Sequence, residues 1–200
     1  MNRKVNLYLV DVRNTKTNDL DSFSFSKEEK ESLDRIQIET SKVEKAVSFL
    51  LKRKLIGEYS YNEFGKPISK DKYFNVSHSK GFVGLATTDY PIGLDIELIR
   101  PYKVPLQEKI SNEEENRYIK NDQNFFEIWT SKESLVKCFG TGVKEDLKSI
   151  PALPINGTKE YKNKMYISKS FMEDDLVISI TLENSDEFEV VKKKLILKDL

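Results

Sequence analysis

The sequence predicts an α+β fold, and three observations support that class. Short runs rich in β-branched and aliphatic residues recur along the chain and are typical of strands. Between them, a serine followed three residues later by a glutamate marks several helix starts, because hydroxyl and carboxylate together satisfy free amide groups of the first turn. A hydrophobic share of 38% in 200 residues is enough for a core in one domain or two small halves, which excludes wholesale disorder and a large multidomain protein.

The first hundred residues are predicted to form an opening strand, two helices and three further strands. The opening strand covers residues 5–12, the helices begin at Ser26 with Glu29 and at Ser41 with Glu44, and the later strands cover residues 73–77, 82–88 and 92–99. Gly57 stands where a left-handed cap would end the second helix. Turn residues separate the three later strands, which therefore predict an antiparallel meander.

The second hundred residues continue the mixed pattern. Ser111 with Glu114 predicts a helix start, and residues 124–139 predict a longer helix that ends at Gly140. Residues 165–171 and 176–182 predict a hairpin, and residues 187–197 predict one or two further strands.

Charge and composition exclude several classes of protein. Thirty-three basic residues balance 33 acidic ones, which argues against a protein that coats nucleic acid. The single cysteine and single histidine, Cys138 and His78, allow neither an internal disulfide nor a Cys/His zinc cluster. The first residues lack the apolar run of a signal peptide, and no stretch is long and apolar enough for a membrane span. We therefore expect a cytoplasmic protein with neither a membrane nor a nucleic-acid partner.

Two acidic side chains share one face of the strand predicted after residue 91. Because side chains alternate along a strand, Asp95 and Glu97 lie with Gly93 on the face opposite the apolar residues. At a rise of about 3.3 Å per residue they are roughly 6–7 Å apart at the backbone, so both carboxylates can reach one hard cation such as Mg²⁺. A solvated strand face is the alternative.

Lys132 lies among apolar residues of the long predicted helix. At 100° per residue it falls within the arc of Ile128, Trp129, Leu135, Val136 and Phe139. It therefore either extends its ammonium group past the edge of the core or points it into a pocket that holds an anion. Glu133 and Lys137, four residues apart, lie to one side of the arc and could instead form a surface ion pair.

The segment that contains His78 has the composition of a phosphate site. Residues 74–79 read Phe-Asn-Val-Ser-His-Ser and place hydroxyl groups, backbone amides and an imidazole at the end of a predicted strand. A histidine that merely occupies a turn is the alternative. No acid is spaced for a Ser-His-Asp triad, and neither a P-loop nor a dinucleotide-binding glycine motif is present. Cys138 is expected to pack rather than to react.

Four ordered segments together resemble one family of enzymes. They are Phe64-Gly65-Lys66-Pro67, residues 74–79, Ile92-Gly93-Leu94-Asp95-Ile96-Glu97, and Trp129-Thr130-Ser131-Lys132-Glu133-Ser134-Leu135-Val136-Lys137. In this order they resemble the Sfp-type 4′-phosphopantetheinyl transferases, most closely between residues 64 and 142. Members of that family transfer the phosphopantetheine arm of coenzyme A to a serine hydroxyl of an acyl or peptidyl carrier protein and release adenosine 3′,5′-bisphosphate. The resemblance implies the same reaction here, with coenzyme A as co-substrate.

The resemblance also implies a role for individual residues. Asp95, Glu97 and Glu133 would hold Mg²⁺ against the coenzyme A pyrophosphate, and Glu133 with Lys137 would act in catalysis. The implied substrate contacts are Lys66, Ser77, His78, Lys132 and, in the second helix, Lys45. Glu114 matches an acid proposed in the family to activate the carrier serine, although its spacing from Ser111 is also that of a helix cap.

The family fold is a pseudo-twofold pair of small α/β halves, each an antiparallel sheet with packed helices. The resemblance therefore implies halves at residues 1–100 and 101–200, an active site between them and a monomeric protein. Two other functions remain open at this point. One is a relic that binds coenzyme A or a carrier protein without turnover, and the other is a different Mg²⁺-dependent phosphodiester or pyrophosphate enzyme.

Overall fold

Strands and helices alternate through the part of the chain that the computed structural model describes, residues 3–140, 142, 146–183 and 186–200. The strands are β1 (Arg3–Asp11), β2 (Ser60–Tyr61), β3 (Pro67–Ile68), β4 (Tyr73–Ser79), β5 (Phe82–Thr88), β6 (Ile92–Leu98), β7 (Gly157–Tyr161), β8 (Lys164–Glu173), β9 (Leu176–Glu183) and β10 (Phe188–Leu195). The α-helices are α1 (Lys27–Asp34), α2 (Glu39–Leu55), α3 (Val104–Ile110), α4 (Glu113–Tyr118) and α5 (Asp122–Phe139). The predicted α+β class is confirmed.

Within these residues the longer strands form two four-stranded sheets. The first has the order β10-β1-β5-β4 and the second the order β6-β9-β8-β7. The pairs within both sheets are antiparallel, except that β1 and β10 run parallel with Arg3 opposite Phe188. The sheets are thus antiparallel as expected apart from this one pair, which forms because the chain leaves the second sheet after β9 and returns to the edge of the first.

The predicted meander of β4, β5 and β6 is wrong. β4 and β5 form the expected hairpin, but β6 pairs with β9 in the second sheet. Because β6 lies in the second sheet and β10 in the first, the strands do not divide between the sheets at residues 100 and 101.

Polar side chains of β4 join the two sheets along the edge of β6. In β4 the polar residues alternate with Phe74, Val76 and His78, so they share the face toward β6. Their oxygens accept backbone N–H groups of β6: Leu94 donates to Asn75 Oδ1 at 2.8 Å, Ile96 to Ser77 Oγ at 3.3 Å and Leu98 to Ser79 Oγ at 3.3 Å. Side chains thus satisfy an edge that a neighbouring strand would otherwise cover.

The two long helices each pack on one sheet. α5 packs on β6 and β9, and its backbone comes closest to the sheet at Gly93, where a Cβ atom would overlap the carbonyl oxygen of Ser134. α2 covers β5 of the first sheet. α5 ends, as predicted, at Gly140 with a left-handed φ of 89°. Gly57, at φ 79°, likewise follows the end of α2.

Helix starts were predicted with mixed success. The capping box of Ser26 and Glu29 is confirmed at α1. The box predicted for Ser41 and Glu44 is wrong, because α2 begins at Glu39 and the Glu44 side chain is buried against other partners. α4 is capped by Asn112 and Glu115 rather than by Ser111 and Glu114, and α3 was not predicted. Among the described helices, none combines the length and apolar character that a bilayer crossing requires.

Candidate active site

A polar cleft of about 410 Å³ lies where β4, β6 and α5 meet. Its lining consists of Val76, Ser77 and His78 from β4, Asp95 and Glu97 from β6, and Trp129, Glu133 and Lys137 from α5. Two-residue spacing places Asp95 and Glu97 on one face of β6, and four-residue spacing places Trp129, Glu133 and Lys137 on one face of α5. The cleft lies at the edge of β4, where consecutive side chains of both faces border it. The fold thus brings together six of the residues that the motifs singled out.

Asp95 lies at the buried end of this cleft. Its Oδ1 atom accepts hydrogen bonds from Lys137 Nζ at 2.5 Å and from Ser77 Oγ at 2.8 Å. Its Oδ2 atom is buried and has no hydrogen-bond partner among the described residues. Burial raises the pKa of Asp95 above its ordinary value even though Lys137 and Ser77 act in the opposite direction. The carboxylate therefore has one oxygen free for a further positive ligand.

Glu133 faces Asp95 and Glu97 from α5. No described residue forms a hydrogen bond or ion pair with its carboxylate, and Lys137 pairs with Asp95 instead of with Glu133. Burial raises the pKa of Glu133, the negative charges of Asp95 and Glu97 raise it further, and Lys137 opposes them only in part. The mutual repulsion of these carboxylates favours the binding of a cation between them.

Glu97 is neutralised by a residue that the motifs did not indicate. Its Oε2 atom accepts hydrogen bonds from Ser79 Oγ at 2.6 Å and from Arg100 at 2.7 Å. Arg100 also donates to the Leu98 carbonyl and lies over the ring of Phe126. The available signal was its position three residues after Glu97, just beyond the end of the strand. Lys137 thus lines the cleft as a cation beside its three carboxylates, and Arg100 neutralises Glu97 from next to it.

The donor set of Asp95, Glu97 and Glu133 fits a hard divalent cation, because all three supply carboxylate oxygens. The unpartnered Asp95 Oδ2 atom and the unpaired Glu133 carboxylate support that fit. As arranged, no three histidine, cysteine, aspartate or glutamate side chains in the described ranges form a complete metal site. Loading a cation therefore requires these side chains to rearrange, since Lys137 holds Asp95 Oδ1.

Lys66 lies outside the charged cleft and holds the end of α5. Its ammonium group donates to the backbone carbonyls of Lys137 at 2.6 Å and Ile92 at 3.1 Å, with Cys138 at 3.4 Å. The carbonyls of Lys137 and Cys138 are among those that a helix leaves unpaired at its C-terminus, whereas that of Ile92 belongs to β6. Backbone carbonyls thus surround the ammonium group of Lys66 in this structure, and its predicted phosphate contact stays a prediction.

A second cavity of about 290 Å³ extends the cleft along α5. It is lined in part by the Phe64-Gly65-Lys66-Pro67 turn and shares Val76, Glu133 and Lys137 with the charged cleft. The two cavities thus form one groove with a strongly charged end and a less charged end.

Lys132 does not line the cleft, and its ammonium group is buried among groups of the chain itself. It pairs with Glu115 Oε2 at 2.7 Å and donates to the carbonyls of Leu147 and Ile150 at 2.8 and 2.7 Å. Both side chains of the ion pair are at most 2% exposed. The anion that satisfies this buried lysine is therefore a carboxylate of the chain itself, and the group is not free to bind a substrate.

Glu114, Lys45 and Cys138 complete the predicted set. Glu114 is exposed in the first turn of α4, and the Lys45 ammonium group lies 5.2 Å from the ring centre of Phe49; neither lines the two cavities. Nothing in these contacts tests their predicted roles. Cys138 is buried, and burial raises the pKa of its thiol to about 12, so the expected packing role is confirmed.

A cleft with three carboxylates, a lysine and an imidazole is suited to a phosphate ester and a divalent cation. Comparison with known proteins places this chemistry in a family. Residues 91–188, which span β6 to the first residue of β10 and include Asp95, Glu97, Glu133 and Lys137, match the model of the 4′-phosphopantetheinyl transferase superfamily. This match confirms the resemblance inferred from the motifs.

Three curated relatives carry the same name. The chain is 39% identical over 89 residues to 4′-phosphopantetheinyl transferase gsp of Aneurinibacillus migulanus, a match that covers 41% of this chain and 38% of the relative. It is 35% identical to the transferase ffp of Bacillus subtilis and 33% identical to Sfp of Bacillus subtilis strain 168, each over 100 residues. Each of these covers 46% of this chain and 45% of the relative. The chain thus matches less than half of the length of these relatives.

Proposed function

We propose that this chain transfers the 4′-phosphopantetheine arm of coenzyme A to a serine hydroxyl of an apo acyl or peptidyl carrier protein, in a Mg²⁺-dependent reaction. The observation that carries the proposal is the cleft in which two strands and one helix collect Ser77, His78, Asp95, Glu97, Glu133 and Lys137. Four of these residues lie inside the segment that matches the transferase superfamily.

The groove has a shape and polarity that suit coenzyme A. Its charged end, near Asp95 and Glu133, suits a pyrophosphate with its cation, and the end beside the Phe64-Gly65-Lys66-Pro67 turn suits a less charged part of the same molecule. An elongated donor can therefore place its reacting phosphorus atom beside α5 while its ends extend along the groove.

The side chains of the cleft divide the chemistry among them. Mg²⁺ held by Asp95, Glu97 and Glu133 would neutralise charge on the pyrophosphate. Lys137, released from Asp95 Oδ1, donates its ammonium hydrogens to a phosphate oxygen and stabilises the charge that develops there. The serine oxygen bonds to the β-phosphorus, the bond from that phosphorus to the bridging oxygen breaks, and adenosine 3′,5′-bisphosphate leaves with the electron pair.

A carboxylate must take the proton of the attacking serine. Glu133 is one candidate, because its carboxylate lines the charged cleft and has no hydrogen-bond partner among the described residues. Glu114 is the other candidate; it is exposed on α4, where an approaching carrier protein can reach it.

We propose further that the protein acts as a monomer in the cytoplasm and has neither a nucleic-acid nor a membrane partner. The balanced charge and the buried, unpaired Cys138 support that setting.

Quantification of released adenosine 3′,5′-bisphosphate tests the reaction class. We expect release from coenzyme A and Mg²⁺ only when an apo carrier protein is present, and none with a carrier whose acceptor serine is replaced by alanine. Release without any carrier would instead identify a pyrophosphate-cleaving enzyme. Binding of coenzyme A without release, on every carrier tested, would support a non-catalytic binding protein.

A further inference from the structure

A buried carboxylate on α2 contacts the histidine of the cleft. The Glu44 side chain is only 5% exposed, and its Oε2 atom lies 3.1 Å from Nδ1 of His78. Its other oxygen, Oε1, accepts the backbone N–H of Gly81 at 2.5 Å. His78 itself is 45% exposed and lines the charged cleft. One glutamate thus connects α2, the turn between β4 and β5, and the active-site imidazole.

The contact specifies which ring nitrogen of His78 carries a proton. A carboxylate only accepts hydrogen bonds, so Nδ1 must be the donor toward Glu44. Nε2 is then the nitrogen left for a ligand, and within the described ranges it has no hydrogen-bond partner. The carboxylate is held in its ionised form: burial raises the pKa of Glu44, but the bonds from His78 and Gly81 outweigh burial, and the pKa lies below its ordinary value.

We propose that Glu44 is a positioning residue that keeps the proton of His78 on Nδ1 in the ligand-free protein, so that Nε2 faces the cleft and carries the second proton of the ring when a phosphate oxygen binds there. A carboxylate that orients an imidazole in this way also stabilises the doubly protonated ring, which an anion at Nε2 requires. The identity of the anion as a phosphate of coenzyme A rests on the proposed function, whereas the tautomer does not.

The tautomer can be measured directly, because the protein has one histidine. Two-dimensional ¹⁵N–¹H NMR of the ligand-free protein in mildly alkaline buffer separates a protonated Nδ1 from a protonated Nε2. We expect the wild-type ring to carry its single proton on Nδ1, although free histidine prefers Nε2. A predominant Nε2–H tautomer in the wild type would overturn the proposal without any variant.

Glu44→Gln is expected to reverse the tautomer. The backbone N–H of Gly81 can only donate, so the glutamine oxygen must face Gly81 and its NH₂ group must face His78. Nδ1 then has to accept, which moves the ring proton to Nε2. Glu39→Gln is the matched control, because Glu39 lies on the same helix and bonds Thr17 instead; it should keep the wild-type tautomer. A Glu44→Gln protein that melts like the wild type and keeps Nδ1–H would contradict the proposal.

Steady-state kinetics give the functional arm of the test. We expect Glu44→Gln to raise the KM for coenzyme A severalfold, because a neutral glutamine cannot balance a positive charge on the ring that faces the phosphate, and Glu39→Gln to leave the KM unchanged. An unaltered KM together with a reversed tautomer would contradict the proposed contact between His78 and a phosphate, and would support the role of Glu44 in positioning the ring. Absence of transfer in the wild type would count against the proposed function alone, since the NMR result does not depend on it.

Discussion

Two lysine–carboxylate pairs in this protein differ in whether all of their hydrogen-bonding groups have partners. Lys132 and Glu115 are enclosed, and carbonyl groups satisfy the remaining hydrogens of the lysine. Lys137 and Asp95 border a cleft, and one carboxylate oxygen has no hydrogen-bond partner in the part of the chain that the structure describes. The first pair therefore stabilises the fold, whereas the second retains the capacity to bind a ligand.

Glu133→Gln should separate stability from activity. The wild-type carboxylate has no hydrogen-bond partner among the described residues and is repelled by Asp95 and Glu97, so removing its charge should maintain or raise the melting temperature. Transfer to a carrier protein should fall by several orders of magnitude, as for any loss of a cation ligand. Glu127→Gln, on the same helix but bonded to Tyr118, is the control and should retain transfer. Near-wild-type transfer by folded Glu133→Gln would remove Glu133 from the site.

Lys132→Met should lower the stability of the protein and leave transfer largely unchanged. It leaves Glu115 as an unpaired buried charge, so we expect the free energy of unfolding to fall by about 3–5 kcal/mol in urea denaturation. Transfer per folded molecule should change little, because Lys132 does not line the cleft. Lys120 is exposed, so Lys120→Met is the control, and its free energy of unfolding should stay within about 0.5 kcal/mol of the wild-type value. Loss of transfer in a stably folded Lys132→Met protein would support the substrate contact that the motifs imply for Lys132.

At the scale of elements, the site depends on the close approach of α5 to β6. Gly93 permits that approach, because no side chain separates the strand from the backbone of the helix. Lys66 fixes the C-terminal end of the same helix, and the polar residues of β4 fix the position of β6. Glu133 and Lys137 therefore face Asp95 because of contacts made elsewhere along these elements.

Gly93→Ala should displace α5. The added methyl group would overlap the backbone of Ser134 and Cys138, which cannot move aside as a flexible side chain can. We expect a loss of at least about 3 kcal/mol in the free energy of unfolding. In Gly84→Ala the new atom would meet only ends of Leu9, Leu94 and Ile96 at 3.3–3.4 Å, so the loss should be smaller. Equal stability of the two variants would contradict the packing described here.

The sequence predicts those elements that depend on interactions between residues close together in the chain. The Ser26 box, Gly140 and the hairpin of β8 and β9 depend on neighbouring residues and were found. Other features depend on partners that are distant in sequence: the position of β6 in the second sheet, the parallel pairing of β10 and the burial of Lys132. Glu44 shows the difference, because its spacing from Ser41 is that of a cap, whereas its partner His78 lies 34 positions further along the chain.

For the whole molecule, stability reflects a buried lysine as well as the apolar core. Lys159 is buried and donates to Ser131, with Glu115 and Lys132 as its charged neighbours. Burial lowers its pKa to about 7, which the attraction of Glu115 only partly offsets. The folded state therefore binds fewer protons at Lys159 than the unfolded state does between about pH 7 and the ordinary lysine pKa of 10.5.

This difference gives the pH dependence of stability a definite sign. Where the unfolded state binds more protons, stability rises with pH, so the Lys159 contribution should increase between about pH 7 and about pH 9. Urea midpoints of wild type and Lys159→Met should show a rise in the wild type that the variant lacks, with the variant more stable near pH 7. Lys120→Met should keep the wild-type rise. Parallel curves for wild type and Lys159→Met would place the Lys159 ammonium group in contact with water.

The reaction itself is the central claim, and intact-mass spectrometry of the acceptor tests it most directly. An apo acyl and an apo peptidyl carrier protein would each be incubated with the chain, coenzyme A and Mg²⁺, with EDTA in parallel samples. We expect at least one carrier to gain the mass of a single phosphopantetheine arm, and EDTA to abolish the gain. Unchanged masses on both carriers, with coenzyme A still bound in a calorimeter, would contradict the transferase assignment.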